Sequence, residues 1–331
     1  MNPTDQTNQH WSGTGKLRGG RPGVWLLVNT TRLVGPRAGY LLAALAAFYF
    51  SFTSPDIAAT INFHRRAFGP QPWWKRRWLV FRHFYSFGRA IIDRIAIHAG
   101  LTKNYVFQFD GDKNLRAAVA GGRGVLLLTA HLGNWEAAGQ LLMRVDVPIT
   151  ITGFDRETPA VRALLESAPQ KKFKLLPLTG GPTDAIPLVA ALRRGEVVAM
   201  LGDRAYGSPT VRVPFFGGTA ALPIGAYVMA SIAGSAVMHV FSHREPGGRY
   251  RFFGFEAYHP QLPSHQERDA YLKSCATKYA RDMESILQLD PLQWYNFFPF
   301  WEEEKITAAA ATPSHHSEHS SELSARPSLT K

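Results

Sequence analysis

The sequence predicts an α/β fold: a mostly parallel central sheet flanked by helices, with an N-terminal membrane-associated helical segment. Three observations lead there. Between residues 106 and 201 short apolar runs alternate with helical patterns, as strand–helix–strand units do. One run, 125–130, has the length and composition of a fully buried strand, with Gly121, Gly122 and Gly124 punctuating its start. A separate apolar stretch at 39–52 lies outside that alternation, between clusters of basic residues.

In chain order, residues 1–21 are polar, with Gly and Ser, and read as a disordered tail without signal-peptide architecture. Residues 22–100 are expected to form the membrane-associated helical region, 101–302 the α/β domain, and 303–331 a second disordered tail. The 24–28 run is interrupted by Asn29, Thr30, Thr31 and Arg32, then broken by Gly35 and Pro36. The 39–52 run is shorter than the ~20 residues a bilayer core needs. Counted from Val24 the stretch is long enough, but Arg32 and Arg37 sit within it. Lys16, Arg18 and Arg21 precede it and Arg65, Arg66, Lys75, Arg76 and Arg77 follow it, so charge gives no direction of crossing. A helix lying in or dipping into the cytoplasmic leaflet fits this pattern, with a buried core helix as the alternative.

A helix start at Thr53, Ser54, Pro55 and Asp56 leads to about Phe68 and stops at Gly69 and Pro70. Trp73, Trp74 and Trp78 then stand among Lys75, Arg76 and Arg77, which suits a lipid-headgroup surface or a helix packing its Trp face inward. That helix runs to Ala99, with Gly100 as its cap. Strands are expected at 106–109, 125–130, 148–154, 174–178 and 197–201, and helices at 137–143, 159–167 and 183–194. Segments 237–243 and 249–257 form an antiparallel hairpin at the sheet edge, and 266–289 an amphipathic helix. An aromatic segment, 291–301, ends the domain.

The balance of 37 Lys and Arg against 25 Asp and Glu gives +12, which suits anionic partners: nucleic acid, acidic phospholipid or an acidic carrier protein. No nucleic-acid-binding motif is present, so no nucleic-acid partner is expected. Cys275 is the single cysteine, which rules out an intramolecular disulfide, points to a cytosolic setting and reads as packing. His315, His316 and His319 lie in the polar tail and read as solvated, so no metal site is expected. No Gly-x-Ser-x-Gly elbow suggests a serine hydrolase.

The chemistry-bearing string is His131-Leu132-Gly133-Asn134-Trp135-Glu136, which follows the 125–130 strand. His131 falls at the strand's C-terminal edge, where open α/β sheets place ligand sites. On one helix, residues five apart point roughly 140° away from each other. His131 and Glu136 therefore meet only if the chain turns, and Gly133 and Asn134 are turn residues, with Asn134 also a candidate N-cap. A carboxylate held against the imidazole would fix its tautomer and equip it as a general base. Backbone N–H groups at the helix start would receive a developing oxyanion. Asp203 and Arg204 end the 197–201 strand on the same edge, as an acidic and basic pair at the site or one that only holds loops together, and Arg156 is a third candidate there. Phe215 and Phe216 read as core or as the lining of an acyl tunnel.

The string resembles the H-x4-D/E signature of the lysophospholipid acyltransferase superfamily. More specifically it is similar to the branch that places secondary lauroyl or myristoyl chains on lipid A, over about residues 25 to 302. Ala130 stands where the glycerol-phosphate branch usually has Asn, and the aromatic ending from Trp294 to Trp301 looks more like relatives in aryl-polyene and other specialised lipid pathways. The resemblance implies a membrane-associated O-acyltransferase with no cofactor. His131 is then the general base, oriented by Glu136, and Asn134, Arg156, Asp203 and Arg204 contact substrate. The donor is an acyl carrier protein thioester or acyl-CoA, and the acceptor a lipid A-type glycolipid precursor. The alternatives are another lipid acceptor (phospholipid, amino-acid lipid, mannoside or aryl-polyene lipid), or a non-catalytic lipid-binding protein. The implied location is the cytoplasmic face of a bacterial inner membrane.

Overall fold

The computed structural model describes residues 20–138, 146–154, 173–179, 181–205 and 207–301. Its centre is a seven-stranded sheet in the order β1-β9-β8-β2-β5-β3-β4. The strands are β1 Val106–Asp110, β2 Val125–Thr129, β3 Ile149–Phe154, β4 Phe173–Leu178, β5 Val197–Leu201, β8 Ala236–Glu245 and β9 Arg249–Gly254. Strands β4, β3, β5, β2 and β8 run parallel, and β9 turns back antiparallel to β8. The β8–β9 hairpin expected at the sheet edge is real but internal, because β1 pairs in parallel with β9 from Val106 against Arg249 onward. The edge strand on that side is the short β1, whose Val106 is exposed.

Alternation along β2 explains the layers. Leu126 and Leu128 pack with Val198, Val237 and Phe241 into one core, while Val125 and Leu127 pack with Leu115, Ile149, Val197 and Met238 into another. Both faces are therefore covered, which is why the strand reads as an unbroken apolar run. The larger core lies beneath α6 Ala185–Arg193, α7 Gly225–Ala233 and α8 Arg268–Leu287. Leu115, on the other side, belongs to α5 Asp112–Ala120. Helices α5 and α7, and the hairpin β6 Thr210–Phe215 with β7 Gly218–Pro223, were not expected from pattern. The α7 segment is almost uniformly apolar and so carries little helical period. The helix expected at 159–167, residues 1–19 of the N-terminal tail and the whole C-terminal tail lie outside the described residues, while Gly20 and Arg21, expected in the tail, begin the first helix.

The N-terminal region is four helices: α1 Gly20–Leu33, α2 Pro36–Thr53, α3 Ile57–Phe68 and α4 Trp73–His98. Helix α2 packs on α4 through small residues. Gly39, Ala43, Ala47 and Ser51 are buried, and a Cβ at Gly39 would sit 2.9 Å from Ile92, while one at Gly88 would sit 3.0 Å from Ala43. Its large residues point the other way, with Leu41, Leu45, Phe48, Tyr49 and Phe52 all between 56% and 66% exposed. No single described helix is long and apolar enough to cross a membrane; α2 and α3 pass that test only as a pair bent by 98°.

Helix α4 ties this region to the sheet. Its Asp93 is fully buried and accepts hydrogen bonds from Tyr40 of α2, from Tyr105 at 2.9 Å, from Tyr250 of β9, and from Arg244 Nε of β8 at 2.6 Å. A buried carboxylate is tolerable only with such a full set of donors and a counter-charge.

Candidate active site

Strands β2 and β5 are neighbours, with Thr129 opposite Leu201. Two residues beyond each of these, the same offset on both strands, stand His131 and Asp203. The register therefore sets them side by side at the C-terminal edge of the sheet. His131 Nδ1–H donates to Asp203 Oδ1 at 2.8 Å, and the His131 backbone N–H donates to Oδ2 at 3.1 Å. A carboxylate only accepts, so the ring hydrogen lies on Nδ1 and Nε2 presents its lone pair. Among the described residues nothing hydrogen-bonds Nε2. Trp135 packs edge-on against the ring, with centroids 5.0 Å apart.

Burial pushes the His131 imidazole below its ordinary pKa, Arg204 pushes it further, and Asp203 only partly restores it. The ring is therefore neutral at physiological pH, as a base must be. Burial alone would raise the Asp203 carboxyl, but His131 and Arg204 outweigh it, and Asp203 stays ionised.

The turn expected at Gly133 and Asn134 is present. Gly133 has φ +61°, and a Cβ there would lie 2.4 Å from the Ser242 carbonyl oxygen, so only glycine fits. Asn134 caps the following turn: its Oδ1 accepts from Ala137 N–H at 3.3 Å, while its own N–H donates to Ser242 Oγ at 3.1 Å. Asn134 Nδ2 is buried without a hydrogen-bond partner among the described residues. The turn is a 3-10 segment, Trp135–Ala138, where an α-helix was expected to begin at 137; residues 139–143 lie outside the described chain.

One expectation is corrected. Glu136 does not orient His131. Its carboxylate is bound by Arg94 Nε at 2.5 Å and by His98 Nε2 at 3.4 Å, both from α4. Arg94 and His98 stand four apart and so share one face of that helix, where a permanent cation competes for Glu136 far better than a neutral imidazole does. The His131 Nδ1 site, meanwhile, is already filled by Asp203. Burial raises the Glu136 carboxyl, but Arg94 and His98 together bring it below the ordinary range, so it remains ionised.

The other candidates divide. Arg204 lies beside the pair: its Nη2 donates to the Tyr295 carbonyl at 3.0 Å, and its guanidinium covers the Phe298 ring. Arg156 falls outside the described residues. Phe215 is core, 1% exposed and packed on Trp294, Phe300 and Trp301. Cys275 is buried, as expected. Four neighbours of the site escaped the sequence reading: Arg94, His98, Ser242 and Trp294. Trp294 Nε1–H donates to Asp203 Oδ2 at 3.1 Å. Its only sequence signal was membership of an aromatic run, which marks core more readily than site.

The chain is 25% identical over 206 residues to a phosphatidylinositol mannoside acyltransferase of Mycobacterium tuberculosis, covering 62% of this chain and 63% of that one. It is 28% identical over 191 residues to the protein of the same description from Mycolicibacterium smegmatis, covering 57% and 60%. It thus spans a little less than two thirds of the length of these relatives. A crystal structure of a 1-acyl-sn-glycerophosphate acyltransferase from Thermotoga maritima aligns with 74% of this chain and 97% of its own, at 15% identity and a TM-score of 0.34. The family described as bacterial lipid A biosynthesis acyltransferase matches residues 23–303, and the chain belongs to that family.

Proposed function

We propose that the protein is a membrane-surface O-acyltransferase that moves a fatty acyl chain from a thioester to a hydroxyl of a glycolipid, with His131 as general base and Asp203 as the carboxylate that orients it. The observation that carries this reading is the pairing of a neutral imidazole, its Nε2 lone pair open, with a buried, ionised Asp203 at the sheet's C-terminal edge. Nε2 takes the proton of the acceptor hydroxyl, whose oxygen attacks the thioester carbonyl carbon. The carbonyl oxygen becomes an oxyanion, the C–S bond breaks, and the departing thiolate receives the proton from the imidazolium. Products are an ester and a free thiol, without a covalent enzyme intermediate. Arg204, near enough to depress the His131 pKa, is the cation that faces developing negative charge or a phosphate of either substrate. The buried, open Asn134 Nδ2 supplies a further donor.

Helix α2 supports the membrane part of the reading. It buries its small side chains and turns its large apolar ones outward, the reverse of a helix meant for water. Exposed Trp73, Trp74 and Trp78 extend that surface, interleaved with Lys75, Arg76 and Arg77, which suits the anionic cytoplasmic face of a bacterial inner membrane. The basic chain equally suits an acidic carrier protein as donor, with acyl-CoA as the other candidate. For the acceptor, family membership supports a lipid A-type precursor. The names of the matched relatives support an inositol mannoside, so the two acceptors form the two arms of the test.

The test uses purified full-length protein with acyl carrier protein or CoA thioesters and vesicles carrying either glycolipid, read by mass spectrometry. The expected product is a glycolipid heavier by one acyl group, with a thiol released in equal amount. Retained transfer by a folded His131→Ala protein overturns the base. Absence of transfer in every donor and acceptor combination overturns the enzyme reading.

A further inference from the structure

We infer that Trp294 is a positioning residue of this centre: its indole N–H holds the Asp203 carboxylate in the plane from which the opposite oxygen accepts the hydrogen bond of His131 Nδ1–H. The inference rests on the His131 base reading above.

Asp203 is 1% exposed and takes three N–H donors: His131 Nδ1 on Oδ1, and both the His131 backbone N and Trp294 Nε1 on Oδ2. Two of the three belong to the residue that Asp203 serves, so they move with it and cannot supply an independent reference. Trp294 alone of these donors comes from elsewhere in the chain, 91 residues beyond Asp203. Its indole has no freedom to follow. It is fully buried, with Phe63, Phe215 and Phe300 edge-on at centroid distances of 5.1, 5.3 and 4.8 Å. An N–H enclosed by phenyl rings must find an acceptor, and Asp203 is that acceptor.

The backbone around Trp294 fixes the other half of the pair. Trp294 bridges Leu132, Tyr295 N–H donates to the His131 carbonyl at 2.8 Å, and Gly133 N–H donates to the Gln293 carbonyl at 2.9 Å. The Trp294 carbonyl in turn accepts from His83 Nε2–H at 2.9 Å, which ties it to α4. One strap, residues 293–295, therefore sets both the histidine loop and the carboxylate plane. Packing does not explain the nitrogen, since a phenyl ring would serve the same aromatic cluster.

Loss of the indole donor has two effects with different readouts. Asp203 becomes more basic and its charge less offset, so it stabilises the imidazolium better and the His131 pKa rises. Its plane also loosens, so the base is aligned less often. A residue that is fully buried and touches no substrate changes kcat and the pH profile, not KM.

The experiment measures kcat, KM and the acid limb of kcat/KM for full-length wild type, Trp294→Phe, Trp301→Phe and His131→Ala. It adds a protein carrying benzothienylalanine at position 294, which has the shape of tryptophan without the N–H. Both position-294 variants are expected to shift the acid limb upward by about half a pH unit to one unit. They should also lower kcat about tenfold with KM unchanged. Trp301 packs in the same cluster but donates to the Phe215 carbonyl, so Trp301→Phe should leave the limb in place. If Trp294→Phe fails to fold, the benzothienyl protein carries the test. A benzothienyl protein with wild-type kcat and limb, alongside an inactive His131→Ala, overturns this inference alone. A fully active His131→Ala overturns the base reading and the inference together.

Discussion

Among the described residues, two histidine–aspartate pairs border this sheet. His131 meets Asp203 at 2.8 Å, and His239 meets Asp282 at 2.7 Å. Both imidazoles are pushed below their ordinary pKa by burial, and both carboxylates are held below theirs by their partners. Their surroundings differ. His239 lies within β8, its side chain wholly covered and its Nε2 facing the Tyr258 hydroxyl, while Lys278 shares Asp282. His131 lies past the end of β2, with part of its side chain exposed and Nε2 open. A hydrogen-bonded His–Asp pair is thus a cross-link inside a strand and the proposed base past the end of one. In β8 it fastens α8 to the sheet; beyond β2 it has a lone pair to offer.

The largest effects should separate the two pairs. His131→Ala is expected to lower kcat about 10³-fold or more with little change in melting temperature. Asp203→Asn should cost nearly as much, about 10³-fold, for a reason specific to this geometry. Two N–H donors, from His131 and Trp294, meet Oδ2, so the new amide must turn its oxygen to them and its NH₂ to His131 Nδ1. That forces the ring hydrogen onto Nε2 and removes the proposed base. Nitrogen-15 chemical shifts of His131 would report the changed tautomer.

Asp282→Asn should lower stability by about 1–3 kcal/mol in urea denaturation, with turnover per folded molecule unchanged. A turnover loss equal to that of Asp203→Asn would break the comparison. Glu136→Gln sharpens it further. Because Glu136 touches Arg94 and His98 rather than the base, and is partly exposed, its loss is expected to cost less than about tenfold in kcat/KM.

The smallest effect is on pH. His131 and His239 both have depressed values, so each is neutral in the folded chain and protonates more readily once unfolded. Stability is then full above the ordinary histidine value of 6.5 and declines as pH falls below it. The acid limb of kcat/KM should likewise lie below 6.5. Urea midpoints and initial rates across pH 5 to 8 would check both, within the range in which histidine titrates.

How much of this was legible in the chain depended on distance along it. The β2 run, the Gly133 turn and the Asn134 cap are local and follow from residue type. The placement of His131 and Asp203 on one edge followed from strand ends, but their contact did not. It needs β5 to lie beside β2, a choice made by the whole sheet. Glu136 was misassigned for the same reason: the H-x4-E spacing is local, whereas its partners come from a helix that ends 38 residues upstream of it. Trp294 was the least visible, since an indole in an aromatic run carries no mark of what its N–H will meet. The β8–β9 hairpin was readable from its turn, but nothing local says that β1 will pair outside it.

Consecutive residues of α4 face different jobs: Asp93 sits among Tyr40, Tyr105, Tyr250 and Arg244, and Arg94 grips Glu136 on the turn that follows His131. The greasy leading helices are thus wired, through adjacent residues of α4, to the loop where acyl transfer is proposed. Trimming them away to obtain a handier protein would strip one hydroxyl from a sequestered anion and bare the glycine groove of α4. The shortened chain would be expected to lose its grip on the turn before it lost its sheet.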